Sequence, residues 1–375
     1  MRRMRGLVLA ISSGVLITGC GGDAGSDAIE MTQKFHGAPR PNETVYTLTR
    51  AQAPAQVTAY DFASRAPKAS IDLSLTGDYT QVDQMFASVD GKRLHVLLER
   101  SPTSIDLATI DTATNTVLHV TPIGPLLTTF TGYSLQPAPD GKQVYLSSKN
   151  VISVIDTDSG ALVRKLVLPA AYSLIKVVTA KNDDEHLYAL ANQPGNQLEV
   201  LRIETASAYI VGGYPAGSAS SKMNREFAVT DDAKKAYFVS FTSFDAEGNL
   251  TEMDLESGIT RVLTDLPEKN PSFLTTIGNG QILFADDNDT SPSTIILYDV
   301  ANRTRTTLLT SSSLVEYMQY DPTTESVLFE RSDIASVSQL KQRANGKYRS
   351  IDLGMRSFTS GSVPGGVTPF VALAR

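Results

Sequence analysis

Carboxylates held in pairs can move protons, and this chain sets six acids at matching positions along its length: Asp61, Asp111, Asp156, Glu204, Asp254 and Asp299. Each follows an apolar residue, from Tyr60 and Ile110 to Tyr298, and so reads as the end of a strand. Recurrence in unit after unit argues for a duty to the unit, accepting backbone N–H groups in the turn that follows. The densest acidic run, Asp286-Asp287-Asn288-Asp289, offers oxygen ligands of the kind calcium takes. It lacks an EF-hand's central glycine, and Leu297 stands where the closing glutamate would be. A solvated loop is therefore expected there, with Asp286, Asp287 and Asp289 kept as a minor calcium candidate. The four histidines, His36, His95, His119 and His186, show no metal-ligand spacing. No Gly-x-Ser-x-Gly elbow occurs, and each Gly-Lys pair is followed by Gln, Arg or Tyr where a P-loop needs Ser or Thr. The sequence thus assigns no catalytic set and no cofactor.

Cys20, the only cysteine in 375 residues, carries chemistry of another kind. Arg2, Arg3 and Arg5 precede an apolar run from Gly6 to Ile17, which ends in Leu16-Ile17-Thr18-Gly19-Cys20. A basic start, a short apolar middle and small residues at the end make a secretory leader. The apolar core of about twelve residues is too short to cross a bilayer, which needs roughly 20. An exported thiol with no partner is also unusual. The ending resembles a bacterial lipobox, which implies cleavage before Cys20 and lipidation of its sulfur. Several acyl chains, at about 0.8 kcal/mol per buried methylene, would anchor the protein stably. The expected organisation is a lipoprotein signal peptide over 1–19, the lipidated cysteine and a flexible tether over 20–40, and the folded part over 41–375. Gly21 occupies the place where an aspartate would resemble an inner-membrane retention signal, so the expected address is the cell envelope, at the outer membrane.

Composition narrows the partners. The chain has a formal charge of −7, and removing the leader's three arginines makes it more negative still. Nucleic acid and anionic headgroups both reward clustered Lys and Arg, so neither is an expected partner. The hydrophobic content of 41% is that of a packed protein.

The elements that must position these residues are visible as a repeat. One phrase recurs as Val45-Tyr46-Thr47-Leu48, Leu94-His95-Val96-Leu97, Val144-Tyr145-Leu146-Ser147 and Leu187-Tyr188-Ala189-Leu190. It continues as Ala236-Tyr237-Phe238-Val239, Ile282-Leu283-Phe284-Ala285 and Val327-Leu328-Phe329-Glu330. His95 thus takes a slot filled elsewhere by tyrosine, and packing explains it. Turn pairs such as Asp90-Gly91 and Asp140-Gly141 precede most copies, and the strand acids follow the first six. Short strands at 8–12-residue spacing, four to a unit, describe antiparallel sheets stacked radially. The expected fold is all-β, a seven-bladed β-propeller of four-stranded antiparallel blades. The N-terminal segment supplies three strands, so the C-terminus must give the fourth and protect the open edge. Ser360–Val363 and Phe370–Leu373 both fit that place.

Asp140-Gly141-Lys142-Gln143-Val144-Tyr145-Leu146-Ser147 and Val151-Ile152-Ser153-Val154-Ile155-Asp156-Thr157-Asp158-Ser159-Gly160 resemble the two halves of a YVTN-type propeller repeat. That resemblance implies the propeller fold and a family whose roles run from surface binding proteins to sugar-lactone hydrolases. With no motif for turnover, the expected function is a lipid-anchored binding or scaffold protein for a protein, peptide or envelope polymer. The contributing connections would be Pro122–Gly132, Pro215–Arg225, Thr242–Gly248 and Asp286–Ser293. The alternative is a lactonase-like hydrolase with its site in the central funnel. That alternative requires polar side chains from three or more blades to converge at one channel mouth.

Overall fold

The structure, a computed structural model, describes residues 43–50, 55–73, 81–88, 90–101, 104–124, 134–195, 197–218, 226–241, 248–265, 271–278, 280–286, 293–312, 315–321, 326–331, 336–342, 348–356 and 371–374. The leader, Cys20, the tether and His36 lie outside the described residues, as does Ser360–Val363.

The described residues form seven blades of four antiparallel strands, with no helix. Each blade runs from its innermost to its outermost strand in chain order, apart from the first. Blade 2 is Gln81–Ala87, Arg93–Ser101, Ser104–Asp111 and Thr116–Gly124; blade 3 is Ser134–Pro137, Gln143–Ser148, Val151–Asp156 and Leu162–Val167. Blade 4 is Ser173–Ala180, Asp183–Gln193, Gln197–Glu204 and Ile210–Ser218; blade 5 is Phe227–Val229, Lys235–Phe241, Gly248–Asp254 and Thr260–Asp265. Blade 6 is Pro271–Thr276, Gln281–Asp286, Ser293–Asp299 and Thr304–Ser311; blade 7 is Val315–Asp321, Ser326–Arg331, Ser336–Gln342 and Tyr348–Arg356. Blades 4 and 5 are also bridged by one pair, Ser218 with Phe241.

Blade 1 is composite. Thr44–Arg50, Gln56–Asp61 and Pro67–Asp72 come from the N-terminal side, and its innermost strand is Val371–Ala374. That strand runs antiparallel to Thr44–Arg50, pairing Val371 with Thr47 and Ala374 with Thr44. Of the two segments that fit the closing place, the later one pairs.

The core is divided among the seams between blades. Seven clusters of buried apolar side chains each join two neighbouring blades. Blade 7 meets blade 1 through Leu328, Val337, Leu353 and Met355 against Val45, Tyr60 and Phe62, which completes the ring. The middle strands are buried on both faces, as in Val151–Asp156, because a neighbour covers each side. The outermost strands expose alternate residues, and Leu118, Val163, Val167, Val211 and Val262 stand at the rim.

Candidate functional site

The six strand acids are held apart, one at each turn from third to fourth strand. Asp156 Oδ1 accepts Ser159 N at 2.8 Å and Ser159 Oγ at 2.7 Å. Asp61 receives the same two bonds from Ser64, and Asp254 from Ser257. Asp111 accepts Ala113 N and Thr114 N, both at 2.9 Å, and Asp299 accepts Asn302 N at 2.9 Å. Glu204 reaches Ser207 Oγ. Bonds from the residue three places on hold the carboxyls of Asp61, Asp111, Asp156, Asp254 and Asp299 below the ordinary aspartate range. The residue four places after each acid has positive φ: Arg65 64°, Asn115 56°, Gly160 69°, Ala208 64°, Gly258 71° and Arg303 52°. The acids serve the repeat, as their recurrence predicts.

Among the described residues the histidines do not gather into a site. His95 is buried, with Nδ1 3.2 Å from Thr109 Oγ1, and burial followed by repulsion from His119 and Arg93 pushes its imidazole down to about 3. His119 lies inside Thr116–Gly124, the outermost strand of blade 2, and packs its ring over Gly160 of the next blade, a close approach that only glycine permits. His186 Nδ1 sits 3.0 Å from Asp183 Oδ1 in its own hairpin. Among the described residues no three His, Cys, Asp or Glu side chains form a metal-holding group. Asp286 ends the second strand of blade 6, while Asp287 and Asp289 lie outside the described residues.

Strand alternation divides the connections between two faces. Turns from first to second and from third to fourth strand lie at one end of every blade. Those from second to third strand, and from one blade to the next, lie at the other. All four irregular connections join strand ends on that second face: Pro122–Gly132 and Pro215–Arg225 run between blades, while Thr242–Gly248 and Asp286–Ser293 join second to third strands.

On the innermost strands, a polar residue recurs at one level through four consecutive blades. Gln84, Ser134 and Lys176 pair across from Leu97, Ser147 and Leu190, two residues beyond the slot of His95 and the tyrosines. Glu226 stands at the same level, directly before the Phe227–Phe238 pair. Three of the four do one job, accepting a backbone N–H of the next blade. Gln84 Oε1 takes Leu135 N at 3.1 Å, Ser134 Oγ takes Val177 N at 3.3 Å, and Glu226 Oε2 takes Leu274 N at 2.7 Å. An ammonium group has no lone pair to offer, so Lys176 cannot do this. Its Nζ instead donates to Glu226 Oε2 at 3.1 Å, with side chains 25% and 9% exposed.

The same level is irregular in blade 6, where the innermost strand bulges between Ser272 and Thr275 and Phe273 has a φ of 59°. A bulky residue is an outlier in the left-handed region, and such strain persists only where the surroundings enforce it. Among the described non-glycine residues with positive φ, the others occupy turns. Phe273 directly precedes Leu274, the donor to Glu226. Polar side chains of four blades, one charge pair and one strained residue therefore line the inner strands together. The sequence reading missed this group because the slot holds Gln, Ser, Lys and Glu, which share no type. Aligning the copies two residues beyond the tyrosine slot and across the first hairpin exposes it.

No protein-family model matches the chain, and no curated protein matches it. Solved structures do. A crystal structure of a putative 6-phosphogluconolactonase from Bacteroides fragilis is 13% identical, with a TM-score of 0.60 over 90% of this chain and 99% of that one. The periplasmic gluconolactonase of Pseudomonas aeruginosa is 13% identical, with a TM-score of 0.58 over 89% of this chain and 99% of that one. The dihydro-heme d1 dehydrogenase NirN is 14% identical, with a TM-score of 0.55 over 85% of this chain and 66% of that one. At these identities the likeness is one of fold, the seven-bladed propeller.

Proposed function

We propose that the chain is a lactone-type hydrolase whose active site lies on the inner strands of blades 4 to 6, at the channel mouth on the face where second strands turn into third strands. The observation that carries this reading is the Lys176–Glu226 pair, where an ammonium group replaces the acceptor that the slot requires. Polar side chains of four consecutive blades share one level of the inner strands, and two of the similar structures are described as lactonases; both support this reading. These observations favour hydrolysis over the binding or scaffold role expected from the sequence. In the same reading Cys20 holds the enzyme on the envelope membrane, so the substrate is met outside the cytoplasm.

The roles follow from the geometry. Glu226, which accepts from Lys176 Nζ and from Leu274 N–H, is the general base that takes a proton from water. The hydroxide adds to the lactone carbonyl carbon, and Lys176 stabilises the oxyanion that forms. The ring C–O bond then breaks, its alkoxide takes the proton from Glu226, and the product is the open hydroxy acid. A base of this kind contributes roughly 10²–10⁴-fold, and an oxyanion donor about 10²–10³-fold.

A panel of five- and six-membered sugar lactones, with and without a phosphate, tests the reading. Saturable ring opening by the wild type is expected, with Lys176→Met lowering kcat/KM by about 100-fold. Absence of turnover across the panel, or full activity in Lys176→Met, would contradict it.

A further inference from the structure

We propose a second site, on the turn face opposite that mouth and independent of the hydrolase reading: a pocket in the seam between blades 5 and 6 for a small organic anion. The ligand class is a carboxylate or phosphate carried on an apolar body.

The repeat shows how this position is normally closed. The left-handed residue after the third strand of one blade is covered by a side chain of the blade before it. Tyr46 donates its hydroxyl to Asn115 Oδ1 at 2.9 Å, His119 lies over Gly160, and Tyr214 lies over Gly258. In the seam between blades 5 and 6 the same position is Arg303, with a φ of 52°. No hydrogen bond or ion pair engages its guanidinium among the described residues. Tyr237, in the slot of Tyr46, bonds instead to Glu252 of its own blade at 3.1 Å. A cavity of about 380 Å³ is left, lined by residues that include Lys234, Lys235, Tyr237, Arg261, Val300 and Arg303. That volume falls within the range of small-molecule sites.

Its charge runs against a chain whose net charge is −7. Lys235 Nζ and Arg261 Nη2 share one acid, Glu252, at 3.1 and 3.0 Å. Lys234 has only Asp232, at 3.7 Å and exposed, a pairing worth little. Asp254 and Asp299 direct their carboxylates to their own turns. The cations thus outnumber the acids they grip. A guanidinium fork fits the oxygens of carboxylate or phosphate, while Val300, the Tyr237 ring and the aliphatic stems of the cations offer apolar contact.

Calorimetric titration with phenyl phosphate and with inorganic phosphate tests the pocket on the full chain in detergent. Arg303→Asn keeps a residue that tolerates the left-handed backbone, as Asn115 does in blade 2, and Lys234→Gln is an exposed change. Saturable binding of phenyl phosphate is expected, weakened about tenfold by Arg303→Asn, weakened also by Lys234→Gln, and unchanged by Lys176→Met. Inorganic phosphate, lacking the apolar body, should bind more weakly. No saturable binding, equal binding by Arg303→Asn, loss on Lys176→Met, or inorganic phosphate binding as well as phenyl phosphate would each overturn the proposal.

Discussion

At Lys176 an ammonium group stands where neighbouring blades place a hydrogen-bond acceptor, and this separates folding from chemistry. Glutamine there restores the acceptor used at Gln84 and removes the charge. Lys176→Gln should therefore fold with a stability within about 1 kcal/mol of the wild type while losing about 100-fold in kcat/KM. Denaturant unfolding and initial rates on the same sample check both halves; parallel loss of both would make Lys176 a structural residue. His95 gives a separate test. Its imidazole is held neutral in the fold down to about 3, whereas the unfolded chain takes the proton near 6.5. Stability contributed by the neutral form is complete above the unfolded value and is lost as the pH falls through that window. One proton makes this about 1.4 kcal/mol per pH unit. The strand carboxylates lose their contribution only below about 4, so the upper part of the window belongs to histidine. His95→Leu should remove one proton's worth of slope between about pH 6 and 4.5. An unchanged slope, read from urea midpoints, would contradict the burial assigned to His95.

Among the elements, the turn from third to fourth strand shows most clearly why the repeat was legible. Asp156, Ser159 and Gly160 each do a job fixed by position: acceptor, donor and left-handed residue. The same types therefore return at Asp254, Ser257 and Gly258. Asp156→Ala should cost about 1–2 kcal/mol, and a loss below about 0.3 kcal/mol in thermal or urea unfolding would contradict that role. The slot of Lys176 hid itself for the opposite reason. Any side chain with an acceptor can bridge two innermost strands, so selection for the bridge leaves no fixed letter. The closing strand was ambiguous because Ser360–Val363 and Phe370–Leu373 share register with the repeat. Pairing of Val371–Ala374 with Thr44–Arg50 decides it, a relation across nearly the whole chain that no local pattern carries.

For the whole molecule, the ring joins its two ends in blade 1 and presents two unlike faces. Removing residues 371–375 should leave the edge of Thr44–Arg50 open to other chains. Size-exclusion chromatography would then show self-association, and a monomer as stable as the wild type would contradict closure by this strand. The proposed envelope address rests on Cys20, and on that proposal Cys20→Ala should release a folded protein from the membrane fraction. Persistence in that fraction after a high-salt wash would remove the anchor from the account. The channel mouth and the turn-face seam lie at opposite ends of the blades, so each can be disabled alone. The central claim is that Glu226 performs catalysis beyond its structural bond to Leu274. Glutamine at 226 keeps an oxygen for that N–H but cannot accept a proton from water, so the most direct measurement compares wild type and Glu226→Gln. Steady-state hydrolysis of a δ-sugar lactone near neutral pH should give saturable turnover by the wild type and a fall of at least about 100-fold in kcat/KM for a folded Glu226→Gln. Wild-type silence, or undiminished turnover by a folded Glu226→Gln, would contradict the account.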